Sequence, residues 1–120
     1  MLKEPLFKLS SITHEEGQIN AYLQIDQHNP IFAGHFPDQP VVPGACMLQI
    51  VKEILADTLN AGLSLVRADN IKFLSLVEPS AGLLELNLTY QQADNELKVN
   101  ASLTSGETVC MKLQGIFAMR

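Results

Sequence analysis

The stretch ACMLQIVKEILADTLNAG, residues 45–62, decides how the rest of the chain is read. Its apolar positions Met47, Ile50, Val51, Ile54, Leu55 and Thr58/Leu59 recur at helical spacing, which predicts one long helix. Pro43 suits the first helical turn, where its missing N–H costs nothing, and Gly62 suits a left-handed C-terminal cap. Residues 45–48 are apolar all round, so that end is expected to be buried on every side. Gln49, Lys52, Glu53, Asp57 and Asn60 form a polar stripe down one face.

The flanks of this helix read as strands. Over residues 18–26, Ile19, Ala21, Leu23 and Ile25 alternate with Asn20, Tyr22, Gln24 and Asp26, the pattern of a half-buried strand. Gly17 marks a turn before it, and residues 5–13 form the preceding strand. After the helix, residues 65–78 are extended and end near Glu78-Pro79-Ser80. Leu84, Leu86, Leu88 and Tyr90 alternate over 82–92, and Ala93-Asp94-Asn95 turns the chain. Leu97, Val99, Ala101 and Leu103 alternate next, Ser105-Gly106 turns again, and 107–119 alternates to the end. The sum is an α+β fold in which an antiparallel sheet packs on one helix. An open sheet has edges to protect, often by pairing with a second subunit.

Length and composition agree with this. A chain of 120 residues suits one domain, residues 1–120, with a core of its own. Hydrophobic residues make up 47% and charged residues 18%, a globular balance rather than a disordered or fibrous one. No stretch approaches the length of a membrane-spanning helix, and the first residues, MLKEPLFKLSS, lack the apolar core of a signal peptide, so a cytoplasmic location is expected. The net charge of −5 argues against nucleic acid, which needs a concentrated basic face. Cys46 and Cys110 fit neither a disulfide framework nor metal-ligand spacing and are expected to be reduced and buried. No metal-ligand cluster and no phosphate-cradling glycine loop is present, so no cofactor is expected.

Chemistry concentrates in NPIFAGHFPDQPVVPGACMLQ, residues 29–49. Four prolines and two glycines rule out a regular element, apart from a helical turn near Pro30–Ala33, and fix a stiff path into the helix. A histidine side chain exchanges protons near neutral pH, which makes His35 a candidate base. Gly44 lets a ligand approach the backbone closely. The unpaired N–H groups at the helix start carry partial positive charge and would polarise a carbonyl oxygen, favouring enolate chemistry.

The run Gly34-His35-Phe36-Pro37-x-x-Pro40-Val41-x-Pro43-Gly44 resembles the motif of the hot-dog-fold 3-hydroxyacyl-acyl-carrier-protein dehydratases. Ile71-Lys72-Phe73, followed by Val77-x-Pro79, resembles the strand after that family's central helix, and the last three strands fit the end of its sheet. The first 25 residues match poorly. The resemblance implies a curved antiparallel sheet around the helix and a dimer whose sheet continues across subunits. It also implies acyl tunnels at the interface and a thioester substrate on acyl-carrier protein or coenzyme A. By the same resemblance, His35 would remove the C2 proton, the Gly44 N–H would polarise the carbonyl, and a helix carboxylate from the other subunit would help expel the 3-hydroxyl. Phe36, Pro43, Cys46 and Glu53 complete the expected substrate-binding set.

The position matching that carboxylate is Gln49, which can hold a hydroxyl or a water but has no proton to deliver. General acid help is typically worth about 10²- to 10⁴-fold in rate. Four readings stay open. Gln49 orients a water while another group, such as Glu53 one turn on, supplies the proton. The chain pairs with a different hot-dog subunit that carries the acid. The protein holds acyl thioesters without dehydrating them. Or it is a thioesterase, a reaction also found on this fold.

Other residues carry weaker signals. His14 and His28 read as surface or turn histidines. Cys46, in the first helical turn, reads as a packing residue, with a lowered thiol pKa as the lesser alternative. Phe32, Phe36, Met47 and Leu48 suit either an acyl tunnel or the core. Arg67, Lys72 and Lys52 suit either an acidic carrier protein or ordinary surface charge.

Overall fold

Alternation along the chain becomes a buried face wherever a strand has neighbours on both sides. A computed structural model describes residues 7–26, 44–77 and 82–119. In it Ile19, Ala21, Leu23 and Ile25 are all buried, and all lie on strand β2 (Gln18–Ile25). The same logic holds for Leu84, Leu86 and Leu88 on β4 (Leu83–Ala93), and for Leu97, Val99, Ala101 and Leu103 on β5 (Glu96–Ser105). On β6 (Thr108–Met119) it holds for Met111, Leu113 and Phe117. Strands β1 (Phe7–Glu15) and β3 (Leu63–Phe73) complete a six-stranded sheet in the order β1-β2-β4-β5-β6-β3. Every neighbouring pair is antiparallel.

Helix α1 (Gly44–Leu59) lies between β2 and β3 in sequence. It presses Cys46, Met47, Ile50, Val51, Ile54 and Leu55 into the core formed by the sheet's inner face. Burying a side chain of this size stabilises by about 1.5–3 kcal/mol, so this stripe holds helix and sheet together. The expected architecture, an antiparallel sheet on one long helix, is the one observed.

Two details of the helix differ from expectation. Its first turn is not buried on every side, because Ala45 is exposed and Leu48 only half-buried. Its cap is not Gly62. Asn60 takes the left-handed conformation at φ 52°, while the Ala61 N–H donates to the Ala56 carbonyl at 3.0 Å and the Asn60 N–H to the Asp57 carbonyl at 3.4 Å. That bond pair is the Schellman closure, in which Asn can replace Gly because its short polar side chain tolerates left-handed backbone.

The sheet bends through irregularities that no alternation pattern reveals. Ser10 on β1, Val66 and Asp69 on β3, and Cys110 on β6 are skipped in the pairing register. Such bulges bend a strand and raise its twist, which helps a sheet curve around a helix. Gly115 on β6 pairs with Ala68, between the two skipped residues of β3. A Cβ there would lie 2.7 Å from the Arg67 carbonyl oxygen, so only glycine admits this close approach.

On the outer face, Asn20 donates to the Glu85 carboxylate at 2.9 Å and to Asn87. The Glu85 charge, and a hydrogen bond to it, also push the Tyr22 hydroxyl above its ordinary ionisation range. No helix among the described residues is long and apolar enough to cross a membrane.

Candidate functional site

Gly44 is the first residue of α1, so its N–H belongs to the helix's unpaired first turn. The place a Cβ would take on Gly44 is filled by the ring of Phe73. From that point Cζ is 2.7 Å away, Cε1 3.0 Å and Cε2 3.1 Å. Any side chain at 44 would have to displace the ring. What lies against this glycine is therefore a side chain from the end of β3.

The chain just past the ring is tied down by the bulge at Cys110. The Cys110 carbonyl accepts the Leu74 N–H at 2.8 Å and the Ser75 N–H at 3.3 Å. These bonds hold the chain where it leaves β3 and fix the direction from which Phe73 meets the helix start. Phe73 is still 52% exposed, so one side of the ring packs while the rest stays open in the single chain. The two segments quoted for the family resemblance, the helix-entry glycine and Ile71-Lys72-Phe73, thus meet in space.

Gln49 and Glu53 are both half-buried on α1. They are one helical turn apart, about 6 Å along the axis at 1.5 Å per residue. Glu53 lines a groove of about 280 Å³ with Ile54, Asp57 and Thr58 of the helix and Phe7, Leu9 and Ile12 of β1. Its Oε2 is shut off from solvent and has no hydrogen-bond partner among the described residues. Neither Gln49 nor Gly44 lines that groove. Glu53 therefore faces the β1 side, with one carboxylate oxygen turned away from solvent.

Cys46 is buried, and burial pushes its thiol up, not down. The packing role expected for Cys46 holds, and its alternative, a lowered pKa, fails because desolvation penalises the thiolate. Both cysteines are free and buried, as expected. Met47 is core, and Leu48 packs against the core. Arg67 pairs with its neighbour Asp69 at 2.7 Å, with both side chains well exposed. Lys72 is exposed and Lys52 half-buried. His14 is an exposed residue whose Nε2 shares a hydrogen bond with the Tyr90 hydroxyl at 2.7 Å. Among the described residues, no three His, Cys, Asp or Glu side chains group to hold a metal ion. His35, Phe36 and Pro43 lie outside the described residues, as do Gly34, His28, Phe32, Pro37, Pro40, Val41, Pro79 and the turn expected near Pro30–Ala33.

Sequence reasoning missed the contact between Gly44 and Phe73. Both residues stood in the quoted motifs, but nothing in one segment refers to the other.

The ApeI-like family, described as ApeI dehydratase, matches residues 11–113 of the chain. A 3-hydroxyacyl-[acyl-carrier-protein] dehydratase FabZ from Rickettsia akari (strain Hartford) is 31% identical over 85 residues, covering 64% of this chain and 59% of the relative. The same enzyme from Burkholderia mallei (strain SAVP1) is 31% identical over 84 residues, covering 62% of this chain and 54% of the relative. The chain thus spans less than two thirds of the length of these relatives. Among solved structures, a chain of the dehydratase heterocomplex ApeI:P from Xenorhabdus doucetiae superposes with a TM-score of 0.76 at 20% identity, over 92% of this chain and 96% of that one. A hypothetical thioesterase with coenzyme A from Streptococcus pneumoniae TIGR4 does so with a TM-score of 0.69 at 10% identity, over 95% and 85%. At such identities these two structures bear on the fold alone, and the fold they share with this chain is the hot dog.

Proposed function

From the premise that this chain belongs to the ApeI-like dehydratase family, we propose that it removes water from a 3-hydroxyacyl thioester of acyl-carrier protein or coenzyme A, leaving the 2-enoyl thioester. The observation that carries this reading is that the family match, residues 11–113, takes in both His35 and the helix-entry glycine. In the proposed reaction His35 removes the C2 proton. The Gly44 N–H holds the carbonyl oxygen as negative charge develops on it, which preorganised donors do well in a water-poor site. The electron pair from C2 forms the new double bond, the C3–O bond breaks, and the departing hydroxide takes up a proton to leave as water. Phe36, Pro43 and Cys46 border the substrate in this reading. No cofactor is needed, residues 1–120 act as one domain, and the site of action is the cytoplasm.

Gln49 holds the 3-hydroxyl in this scheme but has no proton for it. Glu53 opens toward β1 in a groove that Gln49 does not line, which favours an acid from another chain over Glu53. The second reading follows from that: this chain completes a heterodimer with an acid-bearing hot-dog subunit. The shared fold leaves room for this option, since a dehydratase heterocomplex is built on it. For either pairing the free edge of β3 is the proposed contact, since Val66 and Leu74 on and just beyond it are exposed.

The test is enoyl formation from a 3-hydroxyacyl thioester by wild type and His35→Ala. The reading expects turnover that His35→Ala reduces at least about 10²-fold. Turnover that survives His35→Ala would remove His35 from the mechanism. Hydrolysis to free acid and thiol would make the protein a thioesterase.

A further inference from the structure

We propose that Phe73 is a specificity-determining residue that restricts the site to acyl thioesters unbranched at C2. The inference rests on the reading of Gly44 given above and names a feature of the substrate that the reading leaves open.

In a helix the Cα–Cβ direction tilts toward the N-terminus, and the N–H of the first residue also points out of that end. The ring of Phe73 occupies the Cβ direction of Gly44, with Cζ only 2.7 Å from the Cβ position. A carbonyl oxygen held by the Gly44 N–H therefore lies on the same end of the helix as the ring. In the proposed orientation the acyl side of the thioester, not the sulfur, turns to the ring, which brings C2 within van der Waals reach of it, since carbon pairs settle at about 3.5–4.0 Å. A single hydrogen on C2 fits beside a flat aromatic face, but a methyl group there needs the space the ring already fills.

Two contacts bear on where the ring sits. On one side it meets Gly44. Behind it, the backbone at Leu74 and Ser75 is bonded to the Cys110 carbonyl. Phe73 is half exposed in the single chain, and Leu74 and Leu76, close to it in sequence, are exposed too. Phe73 is thus an apolar wall at the helix start, which the proposal places beside the atom whose proton the reaction removes.

The experiment is a binding comparison that needs no turnover. The probes are the amide analogues, with nitrogen replacing the thioester sulfur, of 2-octenoyl pantetheine and its 2-methyl derivative. Both are titrated by calorimetry into wild type, Phe73→Leu and Phe73→Ala. The proposal expects wild type to favour the unbranched analogue by about tenfold or more, the usual worth of one methyl group against a shaped wall. Phe73→Ala should bring the ratio close to one, and Phe73→Leu should fall between. A merely structural role would weaken both analogues together and leave the ratio unchanged, which would overturn the proposal. So would equal binding of both analogues, or of neither, by wild type. If the analogues bind with the expected ratio and a 3-hydroxyacyl thioester is not dehydrated, the dehydratase reading fails while the role of Phe73 stands.

Discussion

Gly44 is the residue where sequence and structure diverge most usefully. The sequence marks it as a place where a ligand can reach the backbone. The structure adds that one direction of approach is already taken by Phe73. A double-mutant cycle checks the contact. Ala has the better helix propensity, by about 0.8–1.0 kcal/mol in a helix interior. Gly44→Ala should nonetheless destabilise, by about 1–3 kcal/mol, because the added methyl overpacks against the ring. In a Phe73→Ala background the same change should become neutral or stabilising. A cost for Gly44→Ala that is equal in both backgrounds, measured by denaturant unfolding, would remove the ring as its cause. Cys46 offers a second residue-scale test. Burial raises its thiol, so at any alkaline pH the folded chain holds less thiolate than the unfolded one. In a Cys110→Ala protein, alkylation of native Cys46 should be slower than in denaturant, and its pH profile should lie to the alkaline side. Rates that match in the two states would contradict this. Much of this scale was illegible beforehand: Gly62 looked like the cap because glycine is the common left-handed residue, yet Asn60 sits one position past Leu59 and closes the helix.

Secondary structure was largely legible, because helix and strands bury one face and the period of burial is written in the sequence. The helix and the alternating strands β2, β4 and β5 fall close to their expected bounds. The strand expected over 65–78 instead spans Leu63–Phe73, since the Leu74 and Ser75 N–H groups both turn to Cys110. The skipped residues were not legible at all. A bulge is a relation between two strands, and the code for Val66 or Cys110 is not held in either strand alone. Gly115 reveals the energetic weight of one such relation. A methyl group added there meets the Arg67 carbonyl at 2.7 Å, and backbone cannot rotate away as a side chain can. Gly115→Ala should therefore cost about 1–3 kcal/mol and lower Tm by several degrees. A melting curve that overlays wild type would mean that β3 can shift away from β6 without penalty.

At the scale of the whole molecule, both sheet edges carry exposed apolar side chains, Leu9 and Ile12 on the β1 edge among them. The β3 edge carries Val66 at 54% exposure, and Leu74 and Leu76 beyond it are exposed as well. A sheet edge with apolar side chains and open backbone groups pairs readily with another chain. Val66→Asp should shift the protein toward monomer in sedimentation velocity without unfolding it, because the position carries no core contact in the single chain. An unchanged sedimentation profile would place the subunit contact elsewhere. In the proposed function the missing acid also belongs to this scale, since a dehydratase site shared between chains need not be complete in either. The His35 motif and its match to the family were legible in a single sequence. The source of the proton was not, because in the proposed scheme it depends on which chain lies opposite.

The most direct test of that account is the initial rate of enoyl thioester formation by purified wild type and by Gln49→Glu under the same conditions. If this chain has a working base and lacks only the acid, Gln49→Glu should raise the rate by about 10²- to 10⁴-fold. A Gln49→Glu protein no faster than wild type would contradict it.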